Sequence, residues 1–303
     1  MPNREIIRVK TITDGHRLQK LPKPVHPLIS IVDLKDIKPT PYKDVSVIMD
    51  FYIITLKKDE IAMPYGRQIY DFEEGAMGFI SPNQVLSGPP VEPDSDRKGW
   101  MMFIHPDFLW NSTLAKKIKK FDFFDYTANE ALFLSEKEET IINGIIENIK
   151  NEYHANIDIF SQEIIISHLE TLLNYAERFY QRQFITRKIV NNKILNRLED
   201  VLSNYFNNDD LVSEGLPTVQ YISEELNLST KYLGSMLKQL TGLTTQQHIH
   251  EKLIATAKEK LSTTELSVSE IAYELGFEHP QSFSKLFKTK TKVTPLEFRQ
   301  SFN

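Results

Sequence analysis

The 303-residue chain contains no cysteine. That absence excludes a disulfide framework, a thiolate nucleophile, a redox-sensing thiol and any zinc site built on sulfur. Long apolar runs are missing too. None approaches the roughly 18–20 residues that a membrane span needs, and Asp50 interrupts the best candidate, Ser46–Leu56. The opening residues Met1-Pro2-Asn3-Arg4-Glu5 lack the apolar centre of a secretory signal, so a soluble, cytoplasmic protein with no membrane partner is expected. Basic residues are in the minority, 36 Lys+Arg against 41 Asp+Glu, for a formal charge of −5. Taken alone, this argues against a nucleic-acid partner, because neutralising phosphate needs Lys and Arg. The rest of the composition, 41% hydrophobic and 25% charged, is that of a globular chain. Its length suits about two domains.

Residues 1 to about 105 read as β-rich. Val45–Leu56 is β-branched and aromatic, long for one strand, and fits either a buried strand or a bent hairpin arm. Gly66, Gly75, Gly78 and Pro64, Pro82, Pro89, Pro90 and Pro93 punctuate the chain beyond it. Between them lie the short strands Arg67–Phe72, Ala76–Ile80 and Trp100–Ile104, with Ser87–Lys98 as an exposed loop. Such spacing predicts an all-β barrel or sandwich.

From about 106 the period becomes helical. Ser135 and Glu138 form an S-x-x-E capping box ahead of a stripe of Ile141, Ile142, Ile145, Ile146 and Ile149. A second helix, about Ser161–Arg182, carries Ile164, Ile165, Leu169, Leu172, Leu173, Ala176, Phe179 and Tyr180. The short connection implies antiparallel packing. These stripes either cover the β-rich part or bury against a second subunit, and the pattern does not choose between the two. Phe184–Lys193 reads as a basic, polar crossover. The expected division is therefore 1–186, with the β part at about 1–105 and helices at about 106–186, followed by an all-helical 187–303. In that second part Ile194, Leu195, Leu198, Leu202, Tyr205 and Phe206 stripe one helix.

The last ninety or so residues repeat themselves. Ile222-x-x-Glu225-Leu226-Asn227-Leu228 matches Ile271-x-x-Glu274-Leu275-Gly276-Phe277 at an offset of 49. Leu233-x-x-Met236-Leu237-Lys238 matches Phe283-x-x-Leu286-Phe287-Lys288 at an offset of 50, as does Thr241-x-Leu243-Thr244 with Thr291-x-Val293-Thr294. Each copy reads as a helix, a tight turn at Asn227 or Gly276, and a second helix: a helix-turn-helix. Ser229 is a good N-cap for one second helix, and Pro280 suits the first turn of the other. A linking helix, about Thr245–Leu261, places Ile249, Leu253, Ala257 and Leu261 four residues apart. It would span roughly 25 Å, short enough to hold two reading helices near one DNA turn of about 34 Å.

Charge is distributed unevenly along the chain. No acid occurs between Glu225 and Glu251 or between Glu278 and Glu297, the two stretches that hold the second helices. Their inward sides are Leu233, Met236, Leu237 and Leu240 in one copy and Phe283, Leu286 and Phe287 in the other. That leaves Thr230, Lys231, Gly234, Ser235 and Lys238 outward on the first, and Gln281, Ser282, Ser284, Lys285 and Lys288 on the second. Short polar and basic side chains near a helix N-terminus are what a recognition helix offers to base edges and phosphates. Lys231, Lys238, Lys285 and Lys288 are the phosphate candidates; Thr230, Ser235, Gln281 and Ser284 are the base-edge candidates. Split at 187, the later part holds 14 basic and 14 acidic residues and the earlier part 22 and 27. The acidity belongs to the first part.

Enzyme chemistry finds little support. His16 and His26 stand outside the candidate strands, His105 precedes Pro106, and His248 and His250 point to different helix faces, so no facial metal set emerges. Glu73-Glu74 and Glu138-Glu139 read as solvated charge, and no P-loop, G-x-G-x-x-G or G-x-S-x-G occurs. No enzyme activity, metal or cofactor is expected. An alternative is a small-molecule-binding or enzymatic β-barrel whose helical tail only mediates assembly.

The segments VQYISEELNLSTKYLGSMLKQLTG, HIHEKLIATAKEKL and LSVSEIAYELGFEHPQSFSKLFKTKTKVTPLEFR resemble the AraC/XylS family of bacterial transcription regulators over about Asn191–Phe302. Ile271-Ala272, Gly276-Phe277, Phe283-Ser284, Phe287-Lys288 and Val293-Thr294-Pro295-x-x-Phe298-Arg299 carry the resemblance. Lys292 stands where the family usually has glycine, and Ser235 where an arginine is common. The resemblance implies an α+β multidomain protein: a cupin-like N-terminal barrel with a helix pair, then an all-α domain of two helix-turn-helix modules joined by a linking helix. It implies double-stranded DNA as a partner, a small effector sensed by the barrel, a homodimer through helices at about 135–182, and a contact with RNA polymerase. The family's DNA-repair relatives, which accept methyl groups on cysteine, are excluded by composition.

Overall fold

The computed structural model divides into two units, Met1–Gln183 and Phe184–Asn303. The residues it describes are 5–37, 45–58, 63–65, 68–70, 75–86, 97–127, 130–155, 160–186, 188–207 and 211–301. Glu73-Glu74 and most of the loop expected at 87–98 lie outside the described residues.

The first unit begins with β1 (Glu5–Val9), α1 (Ile12–Leu18), β2 (Ile29–Asp33), β3 (Val45–Met49) and β4 (Tyr52–Lys57). Next come β5 (Met63–Tyr65), β6 (Gln68–Tyr70), β7 (Ala76–Ile80), β8 (Val85–Leu86) and β9 (Gly99–Ile104). The short helix α2 (Leu114–Lys117) and β10 (Leu132–Phe133) precede two long helices, α3 (Glu136–His154) and α4 (Ser161–Thr186).

Five strands form an antiparallel sheet in the order β10-β7-β4-β9-β2. A second sheet, β1-β3-β8, pairs β1 with β3 in parallel and β3 with β8 antiparallel, and β5 pairs with β6 alone. Of the barrel or sandwich that strand spacing predicts, the described strands give separate sheets that do not close on themselves. The run 45–56 shows why. It leaves one sheet as β3 and enters the other as β4, bending at Asp50-Phe51. Asp50 turns its N–H to the Val9 carbonyl at 3.0 Å and its carboxylate to Arg8 at 2.8 Å. The polar residue that interrupts the run is the point where the chain changes sheets.

Strand β4 is central and covered on both faces, which is why it reads as nearly continuous hydrophobic sequence rather than alternating. On one face Phe51 and Ile53 join Val9, Ile12, Met49 and Phe103 in a buried cluster. On the other, Ile54 lies opposite Phe79 and Met102 in the register. There Phe79 meets Phe123 and Phe124, with ring centroids 4.5 and 5.6 Å away, and Tyr180 of α4 stacks on Phe123 at 5.6 Å. Helix α3 covers the same sheet: Asn143 Oδ1 accepts from the Trp100 indole at 3.1 Å. Ile142, Ile145, Ile146 and Ile149 are accordingly buried within one chain, and Ile141 alone of the five is exposed. The Ser135/Glu138 capping box forms as expected, and Arg182 of α4 reaches back to Glu138 at 2.7 Å and to the Phe133 carbonyl at 2.6 Å. Beside it, Gln183 accepts from Phe133 N–H at 2.8 Å and donates to the Ala131 carbonyl at 3.1 Å.

The second unit is helical. Helix α5 (Lys188–Phe206) takes up most of the expected crossover at 184–193. Within it the buried Asn191 donates its amide to the Phe184 carbonyl, and Leu198, Leu202 and Phe206 supply the apolar face of the helix. Beyond it lie α6 (Leu211–Glu214), α7 (Val219–Leu226), α8 (Thr230–Thr241), α9 (Thr245–Thr263), α10 (Val268–Glu274), α11 (Pro280–Thr291) and α12 (Pro295–Gln300). Ile249, Leu253, Ala257 and Leu261 of α9 are all buried. They line the edge that packs on α5 and α8 and on α10 and α12.

The two copies match beyond their helices. Thr241 and Thr291 each donate Oγ1 to the carbonyl four residues back, Leu237 and Phe287, at 2.8 Å. Each then accepts from the N–H two residues on, Leu243 and Val293. Thr244 with Gln247 and Thr294 with Glu297 close capping boxes on α9 and α12. Between those features the chain is left-handed in both copies, at Gly242 (φ 75°) and at Lys292 (φ 71°). The lysine departure therefore keeps the glycine geometry, against the steric preference of an L side chain. Lys292→Gly should relieve that strain by more than the added freedom of the unfolded chain takes away, slowing hydrogen exchange of the α11 and α12 amides by about two- to fivefold. Faster exchange would show that Lys292 sits there without strain.

Candidate nucleic-acid interface

Each second helix starts from a different cap. Ser229 accepts from Tyr232 N–H at 3.1 Å to open α8, whereas α11 opens with His279 as a cap lacking a side-chain bond and Pro280 in the first turn. Proline there gives up an N–H that the helix does not use. Both helices then bury one stripe: Leu233, Met236 and Leu237 on α8, Phe283 and Phe287 on α11. Leu240 and Leu286 are half-buried at the edges.

The opposite stripes correspond position by position. Residues 231, 234, 235 and 238 run Lys-Gly-Ser-Lys along α8; residues 281, 284, 285 and 288 run Gln-Ser-Lys-Lys along α11. Spacings of three and four residues put each set on one helix face. Lys231 and Lys238 are exposed, as are Gln281, Ser282, Lys285 and Lys288, while Thr230, Ser235 and Ser284 are half-buried. Nothing lies within 4 Å of where a Cβ on Gly234 would stand, so the face of α8 is open at its middle. Neither helix carries a carboxylate.

Folding adds neighbours that helical spacing does not show. The Lys238 ammonium donates to the Gly242 carbonyl at 2.8 Å, neutralising the end of its own helix. A phosphate contact by Lys238 would have to replace that bond. Lys288 faces Glu297, whose carboxyl is held below the usual carboxylate range, first by the Thr294 N–H and then by the Thr294 hydroxyl, with the Lys288 charge adding to it. His250 of α9 stands near Lys290 of α11, and His248 bonds Thr241 at 2.9 Å. Burial holds both imidazoles below their ordinary value; Lys290 reinforces this at His250, while Glu251 and Glu199 oppose it at His248. Gln246, exposed in the first turn of α9, bonds the His250 ring at 3.1 Å. The sequence places Lys285, Lys288, Lys290 and Lys292 close together but does not reveal that His250 of α9 borders them. Among the described residues no group of acids and histidines is placed to hold a metal ion, and no helix is long and apolar enough to cross a membrane.

A family described as "Helix-turn-helix domain" matches residues 222–301, from within α7 to the end of α12. HTH-type transcriptional activator RhaS of Escherichia coli strain SE11 is 37% identical over 79 residues, 26% of this chain and 28% of that protein. Histidine kinase P4 of Formosa agariphila is 27% identical over 165 residues, 54% of this chain and 10% of the kinase. The chain thus spans 28% of one of these curated relatives and 10% of the other. Among solved structures, the C-terminal domain of the two-component response regulator yesN from Fusobacterium nucleatum is 31% identical, with a TM-score of 0.30, covering 34% of this chain and 95% of its own.

Because the two imidazoles have lowered values in the folded chain, the unfolded chain binds more protons below about pH 6.5, and stability must fall as the pH drops through that window. Urea unfolding followed by helical circular dichroism should show this slope, and the paired variant His248→Gln, His250→Gln should flatten it. An unaltered slope would place the titration elsewhere. Residues 222–301 thus carry a helix-turn-helix domain similar to part of the transcriptional activator RhaS.

Proposed function

We propose that the chain is a sequence-specific DNA-binding transcription regulator that takes double-stranded DNA through α8 and α11. The observation that carries this reading is the pair of matched, carboxylate-free outward stripes, Lys231 to Lys238 and Gln281 to Lys288, each backed by a buried apolar stripe. Helix α9 has nineteen residues and so measures about 28 Å, which suits two helices entering the major groove about one turn apart. Lys231, Lys285 and Lys288 bind phosphate in this reading, with Lys238 after release from Gly242. Thr230, Ser235, Gln281, Ser282 and Ser284 address base edges or nearby phosphates.

The proposal extends to the first unit as a cupin-like sensor of a small effector, with domain limits of 1–186 and 187–303. Its helices at about 135–182 pair two copies, and the regulator touches RNA polymerase. What supports pairing through α3 and α4 is the exposure of Ile141 and Ile164 on helices whose remaining apolar stripes are already buried. A neutral second unit, with 14 basic and 14 acidic residues after position 186, fits binding that relies on two reading helices and a partner copy rather than on bulk charge.

DNA fragments selected by the purified full chain test the reading; a pool with no enrichment at low salt rejects it. On a selected site, Lys285→Ala should weaken binding to all sequences and lower the salt slope by about one unit. Gln281→Ala should instead relax preference at one base pair by about 1–3 kcal/mol. Equal losses on every site would remove Gln281 from base reading.

A further inference from the structure

Gly276 and its counterpart Asn227 turn the backbone the same way with different side chains. Asn227 ends α7 at φ 57° and Gly276 lies just past α10 at φ 80°. The left-handed turn does not by itself require glycine at 276, since asparagine serves at the matching place. What differs is the neighbour. A Cβ on Gly276 would lie 2.9 Å from the carbonyl carbon of Gly215, 3.1 Å from its Cα and 3.1 Å from the Leu211 carbonyl oxygen. Gly215 is itself left-handed at φ 73°, so two glycine backbones meet without side chains between them.

Gly215 is held in turn. Its N–H donates to the Leu211 carbonyl at 2.9 Å, and its own carbonyl accepts from the Tyr205 hydroxyl at 2.9 Å. The Tyr205 ring meets Tyr221 edge-on at 5.0 Å. Tyr205 belongs to α5 and Tyr221 to α7, so the contact runs from the frame of the first pair to the turn of the second. It does not pass through α9.

We infer that Tyr205, Gly215 and Gly276 form a clasp that fixes α11 relative to α8 and thereby selects the spacing between the two DNA segments one chain reads. The spacing half rests on the DNA reading above. One added base pair displaces the second segment by about 3.4 Å and turns it by about 35°. A clasped pair of helices cannot follow that movement, whereas two pairs joined by α9 alone have one helix about which to adjust. The three residues are positioning residues, acting with no base contact of their own.

Two variants separate the clasp from general folding. Gly276→Asn keeps the turn that the other copy uses but puts a side chain where the Gly215 backbone lies, and Tyr205→Phe removes only a hydroxyl. Because the chain has no cysteine, spin labels placed through Gln239→Cys and Thr289→Cys, both exposed, report the α8-to-α11 distance in the full protein. The distance distribution should be narrow in the parent and broader in both clasp variants. On fragments selected by the parent, one inserted base pair between the protected segments should weaken parent binding about tenfold, the size of one mismatch, and clasp-variant binding only about twofold. Distributions unchanged in both variants overturn the clasp. Broadened distributions with the insertion penalty intact overturn its role in spacing. A parent that binds no fragment rejects the DNA reading instead, and broadened distributions then still uphold the clasp.

Discussion

Burial of one edge of α9 is the constraint on which the second unit depends. Ile249, Leu253, Ala257 and Leu261 recur every four residues, and each is hidden. Two of the helices packed around that line are short: α10 has seven residues and α12 six. Helices of that length do not persist alone in water, because nucleation outweighs so few propagating bonds. Their order comes from the apolar line and from polar ties to it, such as Lys260 to Glu274 at 2.7 Å and Arg299 to the Leu261 carbonyl at 3.1 Å. With no cysteine in the chain, no covalent cross-link substitutes for that packing.

The helical half was legible because its signals are local. Caps, turns and stripes act within a few residues, so the repeat, the Ser135 capping box and the α9 edge could be read in one dimension. The sheets depend on partners far along the chain. Asp50 marks a break in the run, but nothing near it reveals which strands β3 and β4 join, or that β1 pairs with β3 in parallel. The 184–193 stretch looked like a crossover because its polar side chains outnumber its apolar ones, yet Asn191 is buried and bonded. At the candidate interface the outward stripes were readable from spacing. The tie of Lys238 to Gly242, the approach of Glu297 to Lys288 and the nearness of His250 to Lys290 were not, since each depends on where a long side chain lies after folding.

The two copies carry unequal outward faces. The α8 stripe has Gly234 at its middle, open for at least 4 Å around the missing Cβ, and lysines toward its ends. The α11 stripe places Gln281 first and its lysines together at 285 and 288. A bare glycine favours close approach of backbone to a partner, whereas a leading glutamine favours paired hydrogen bonds. The copies share a frame and differ in the chemistry they present.

Gln183 has an effect at the rim of the first unit's main sheet. Strand β10 is an edge strand, and the side-chain amide of Gln183 engages both the Phe133 N–H and the Ala131 carbonyl as a neighbouring strand would. Exposed edges are where one protein molecule adds its strands to another and aggregation begins. A single buried side chain thus takes up edge groups of the sheet that a strand of another molecule would otherwise pair with.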